Sequence, residues 1–107
     1  MVEYTLDFDL VFQALSDGTR RDILQRVLAN EQRITDLAKQ YSMSFAGVAK
    51  HLDVLVRAKL ITKEKKGREQ VITANAGAVN QTVKLLQQYE KIWATRLNNL
   101  DTFLKNN

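Results

Sequence analysis

The spacing of apolar residues changes twice along this chain, and the order of those changes limits the fold more than any other feature. Val48, Leu52 and Leu55 recur at steps of four and three, which marks one face of a helix. From 60 to 74 the period falls to two, with β-branched Val71, Ile72 and Thr73 in the second half, which marks a pair of strands. Gly67 lies between the halves and permits a tight turn. Beyond residue 78 the helical period returns as a heptad.

Upstream, Phe8, Val11, Phe12 and Leu15 share the face of a helix that starts near Asp7. Ser16-Asp17-Gly18 ends it, and Ser16 or Asp17 can cap the next helix, 19–29, with Ile23, Leu24, Val27 and Leu28 inward and Asn30 as its stop. A short helix is expected over 36–41, with Thr35 as N-cap and Leu37 and Ala38 facing the core. Ser42-Met43-Ser44 is a polar turn, and Ser44 caps a helix over 45–58. Strands over 60–66 and 69–74 follow. The expected order is α-α-α-α-β-β-α, a mainly α fold with a small β-hairpin, in one domain over 1–107.

The last helix, about 78–105, is the longest. Val79, Val83, Leu86, Glu90, Trp93, Leu97, Leu100 and Leu104 are spaced 4, 3, 4, 3, 4, 3 and 4 apart, a heptad seam interrupted by Glu90. Leu85, Tyr89, Ile92 and Phe103 widen it. Either the helix folds back on its own small core, or a second copy of the chain covers it. The heptad favours a homodimer through Val79, Val83, Leu86, Trp93, Leu97 and Leu100.

Composition removes several function classes. With no cysteine there is no disulfide, thiolate metal site or thiol nucleophile. One histidine, no Gly-rich phosphate loop and no clustered carboxylates argue against an enzyme, and no cofactor or metal is implied. The first ten residues lack the basic start of a leader peptide, and no apolar run approaches the ~20 residues of a membrane span. A cytoplasmic protein without a membrane partner is expected. The net charge of +4 is uneven: residues 1–56 hold six basic and eight acidic side chains, while 57–70 hold six basic and two acidic. Such a patch suits a polyanion, or is a solvated, charged hairpin.

A short helix, a tight turn, a second helix and a basic hairpin together make a winged helix-turn-helix. Its second helix is of a width to enter the major groove of duplex DNA, and its hairpin, the wing, sets cations beside phosphates. The candidate contacts are Ser44, Phe45, Ala46, Ala49, Lys50 and His51 on the helix and Lys63, Lys65, Lys66 and Arg68 on the wing. Ser44 offers a hydroxyl, Ala46 and Gly47 permit close approach, and Lys50 offers a cation to phosphate or guanine. Phe45 either packs on the preceding helix or meets thymine methyl groups. Gly47 answers either to another backbone or to DNA. His51 bonds either a phosphate or the neighbouring helix. Arg68 suits the minor groove, and Lys63 and Lys65 suit phosphates. At least one of Arg20 and Arg21 is expected to be structural, pairing with Asp17 or another carboxylate.

These residues resemble the ArsR-type (arsenic-repressor-like) family over nearly the whole chain. Leu15-Ser16-Asp17-Gly18-Thr19-Arg20-Arg21-Asp22-Ile23-Leu24 resembles the family's L-x-D-P-T-R-R-x-I-L opening, with Gly18 in place of Pro. Ser44 to Leu55, ending Lys50-His51-Leu52-Asp53-Val54-Leu55, resembles its S-x-x-x-V-S-K-H-L-x-x-L recognition helix. Ala58-Lys59-Leu60-Ile61 resembles its A-G-L-V exit. The resemblance implies a dimer joined through the first and last helices, with Phe8 and Phe12 in the interface, and a repressor released from its operator by an effector. It names no effector. Arg33-Ile34-Thr35-Asp36-Leu37 stands where metal-sensing members carry C-V-C-D-L, and 78–100 lacks the His and Asp pairs that others use. Metal sensing of these kinds is therefore not expected, and the run Tyr89-Glu90-Lys91-Ile92-Trp93 resembles that of a metal-free subgroup. Phe45 and Ala49 replace polar readers common in the family. The competing reading is a protein-interaction module on the same fold, fed by an outward Phe45.

Overall fold

The computed structural model describes residues 6–106. Residues 1–5 and 107, and with them half of the segment read above for a leader peptide, lie outside that range. The elements are α1 (Phe8–Leu15), α2 (Gly18–Ala29), β1 (Gln32–Arg33), α3 (Ile34–Ala38), α4 (Phe45–Arg57), β2 (Ile61–Lys66), β3 (Glu69–Ala74) and α5 (Ala76–Lys105).

The helix starts are set by side-chain oxygens that take up free backbone N–H groups. Asp7 accepts from Asp9 N at 2.9 Å, Asp17 from Arg20 N at 3.0 Å, Ser44 from Gly47 N at 3.0 Å and Asn75 from Ala78 N at 3.3 Å. A Cβ on Gly47 would stand 3.3 Å from the capping Ser44 hydroxyl, so the glycine keeps room for the cap.

The core joins Val11 and Ala14 of α1, Ile23, Leu24 and Val27 of α2, Leu37 of α3, Val48, Leu52 and Leu55 of α4, and Ile61 and Ile72 of the sheet. Leu28 is a correction: it is half exposed, not inward. At about 100° per residue it points some 90° away from the centre of the Ile23–Leu24–Val27 stripe.

Two further corrections concern the segment after α2. The sheet has three antiparallel strands in the order β1-β3-β2, with Gln32 opposite Ile72 and Arg33 opposite Val71. The helix expected over 36–41 begins instead at Ile34, with Arg33 as N-cap and no side-chain cap bond. Pairing of β1 with β3 carries the chain directly into the helix and buries Ile34, so the Thr35 cap is bypassed. In the hairpin, Lys66 faces Glu69 and Gly67 takes a φ of 64° at the turn.

Candidate nucleic-acid interface

The buried Val48–Leu52–Leu55 stripe of α4 fixes which side of that helix is left for a partner. Ala46, Lys50, Asp53 and Arg57, at steps of four, three and four, form the opposite side, and all four are exposed. Phe45 opens the helix 53% exposed, and Met43 in the preceding turn is also exposed. Ala49 is half-buried on the flank.

An ion pair joins the wing to this face. Lys63 lies directly across β3 from fully buried Ile72, so its side chain leaves the sheet on the core face and emerges beside α4. Its Nζ stands 3.8 Å from Asp53 Oδ1. Two residues on, Lys65 continues the same face toward the tip. Asp53 was not singled out from sequence, although its position three residues after Lys50 puts it on the outer face.

Lys66 belongs to the other face of the wing. Its Nζ stands 3.4 Å from Glu31 Oε2, and beside it Arg33 Nε lies 3.0 Å from Glu69 Oε2. These two pairs line a cleft of about 400 Å³ with Gln32, Asp36 and Val71. The structure thus sets Lys63 beside Asp53 on the outer face of α4, keeps Lys65 on the same face of the wing and turns Lys66 to the other. Arg68 is exposed at the turn.

His51 is half-buried on the other flank of α4. Its Nδ1 lies 3.3 Å from Arg20 Nη1 and 3.8 Å from Asp17 Oδ2. The Arg20 backbone N–H, foremost among its neighbours, holds the Asp17 carboxyl below its ordinary range. The other bonds of Arg20 go to backbone carbonyls of α1: Nε donates to Ala14 O at 2.8 Å and Nη2 to Gln13 O at 3.0 Å. Arg21 Nη1 donates to Leu15 O at 2.7 Å. Both arginines therefore close the C-terminal end of α1, a task that the expected pairing with carboxylates did not include.

A second cluster, missed from sequence, ties α2 to the turn after α3. Asp22 Oδ2 accepts from Arg26 Nε at 2.8 Å and from the Tyr41 hydroxyl at 2.6 Å. Arg26 lies over the Tyr41 ring at 5.6 Å and donates to Gln40 Oε1. Burial, then the Asp22 carboxylate, pushes the Tyr41 phenol up to about 12. Arg26, then Tyr41, holds the Asp22 carboxyl down.

The residues read as a dimer seam lie mostly in solvent. Val83, Leu86, Trp93, Leu97 and Leu100 are 44–56% exposed, and Phe12 is 40% exposed. Phe8 stacks on Phe12 with ring centroids 6.3 Å apart. Phe8 and Val79 also pack against the core. Among the described residues, no group of three His, Cys, Asp or Glu side chains is placed to hold a metal ion, and no helix is long and apolar enough to cross a membrane.

No protein-family model matches the chain. It is similar to the transcriptional repressor SdpR of Bacillus subtilis (strain 168), at 27% identity over 79 residues, spanning 74% of this chain and 88% of that one. It is similar to the uncharacterized HTH-type transcriptional regulator YuzN of the same organism, at 35% identity over 83 residues, spanning 71% of this chain and 90% of the relative. Among solved structures, an ArsR-like transcriptional regulator from Rhodococcus sp. RHA1 superposes with a TM-score of 0.75 at 33% identity, covering 89% of this chain and 90% of that one.

Proposed function

The chain belongs to the ArsR family of winged helix-turn-helix, DNA-binding transcriptional regulators, and from that membership we propose that it is a homodimeric repressor of an inverted-repeat operator. The Lys63–Asp53 contact carries the reading, because it ties the wing to the outer face of α4. Ala46, Lys50, Lys63 and Lys65 then lie on one continuous surface, with small residues where a base edge must come close and cations where phosphates run. Ser44 completes the first turn, Phe45 and Ala46 meet thymine methyls, and Arg68 enters the minor groove beside the wing. Lys66, drawn toward Glu31, contributes least. The exposed rows of α1 and α5, from Phe12 to Leu100, meet their equals in a second copy.

The thiol positions of metal-sensing members are filled by Arg33, paired to Glu69, and Thr35, so the chain lacks that sensor.

Selection of duplexes from a random pool tests the proposal. The expected product is an inverted repeat whose affinity falls log-linearly with salt. In the variant Lys50→Ala/Arg68→Ala the salt slope falls by roughly one for each phosphate no longer neutralised, while the dimer remains. Flat salt dependence with no duplex retained would point instead to a protein partner for the exposed Phe45.

A further inference from the structure

The Arg20 side chain hydrogen-bonds to both α1 and α4. Its guanidinium is divided among three acceptors: Ala14 O, Gln13 O and His51 Nδ1, at 2.8, 3.0 and 3.3 Å. The first two sit in the last turn of α1 and the third at the middle of α4. Its own backbone N–H is held by the Asp17 cap at 3.0 Å, which fixes the base of the side chain. Arginine alone suits the position. Its planar fork sends N–H donors in several fixed directions at once, whereas a lysine offers a single point charge.

The chemistry of the contact also sets the state of the histidine. A guanidinium has only donors, so His51 Nδ1 accepts and the ring proton resides on Nε2. His51 is thereby spent as a receiver for Arg20 on the flank of α4.

We propose that Arg20, acting through His51, is a positioning residue that sets the angle of α4 against α1, and with it the separation of the two recognition helices in the dimer. This rests on the function proposed above. In that arrangement α1 belongs to the shared interface, and the two copies of α4 must reach major grooves about 34 Å apart. A loosened link would blur that separation and leave every DNA-touching side chain in place.

The test uses the full chain and the inverted repeat selected by the unaltered protein. Arg20→Lys and His51→Leu are each expected to lose about tenfold in affinity for that duplex. Both should retain the dimer mass, and Arg20→Lys should bind a random duplex as before. They should also keep the salt slope and tolerate repeats whose centre is lengthened or shortened by one base pair. His51→Gln, which keeps an acceptor for Arg20, recovers part of the loss. Nitrogen NMR of the free protein should show His51 protonated at Nε2, and the preference should weaken in Arg20→Lys.

Three results would overturn the proposal. One is unchanged operator affinity in Arg20→Lys. Another is a salt slope smaller by about one, which would make Arg20 a phosphate contact. The third is a His51 ring protonated at Nδ1 in the unaltered protein. If Arg20→Lys fails to fold, His51→Leu and the NMR tautomer decide the matter. Failure of the unaltered protein to select any duplex would instead remove the functional reading beneath.

Discussion

The winged body and the rod that leaves it use the same kinds of apolar residue to opposite effect. In the body, Val48, Leu52, Leu55, Ile23 and Ile72 are wholly buried. In α5 only Ala78 and Thr82 are buried, and beyond them Val83, Leu86, Trp93, Leu97 and Leu104 stand in solvent. The radius of gyration is 18.4 Å, where a compact chain of this length would show about 13 Å. The body holds itself together by contacts far apart in sequence. The rod has its own hydrogen-bond ladder and a row of side chains that its own domain does not reach. In the proposed dimer, burying those side chains would recover about 25 cal/mol for each Å² of apolar surface removed from water.

The sharpest way to break this contrast is Leu97→Lys/Leu100→Lys. Sedimentation should then give the 12.3 kDa of one chain, and loss of the second copy should lower duplex affinity more than about a hundredfold. A particle of twice that mass would place the interface elsewhere. In the body, Leu52→Ala should cost about 2–5 kcal/mol in urea unfolding. In the monomeric background, Trp93→Ala should change stability by less than about 0.5 kcal/mol. A smaller effect at Leu52 than at Trp93 would reverse the assignment of core and interface.

A gain is expected at Lys59, where α4 hands over to β2 with a φ of 65°. Side chains disfavour this left-handed conformation, so Lys59→Gly should raise stability by about 0.5–1 kcal/mol. The smallest test is pH. Because the folded state holds the Tyr41 phenol up to about 12, its contribution is complete below pH 10 and fades as pH rises from 10 toward 12. For Asp17 and Asp22 the sign is opposite: held down by their partners, they stabilise above about pH 4 and lose that contribution as acid protonates them. Absorbance titration should show the Tyr41 phenol ionising late, and its transition should move down in Asp22→Asn.

What was legible in the sequence is what repeats. The Val48–Leu52–Leu55 steps, the Ser44 cap, the turn at Gly67 and the heptad of α5 are local patterns, and the structure carries each of them. What was hidden depends on distant partners. Strand β1 is two polar residues without a period, and only Val71 and Ile72, some forty positions later, make it a strand. The late start expected for α3 followed from that omission. Leu28 extended a stripe that the curvature of the helix had already turned from the core. The wing lysines look alike in sequence, yet strand alternation sends Lys63 toward Asp53 and Lys66 toward Glu31. Arg20 and Arg21 invited carboxylates, while the nearest unmet acceptors were the carbonyls ending α1.

Among the described residues, the strand order β1-β3-β2 leaves the outer margin of β2 without a neighbouring strand. An open margin of backbone donors and acceptors invites another molecule to zip onto it and begin a fibre. Here that margin bears Lys63, Lys65 and Lys66 with only Glu64 among them, so two such margins repel one another. Replacing these lysines with neutral residues would therefore make the protein prone to aggregate, whatever it did to its hold on DNA.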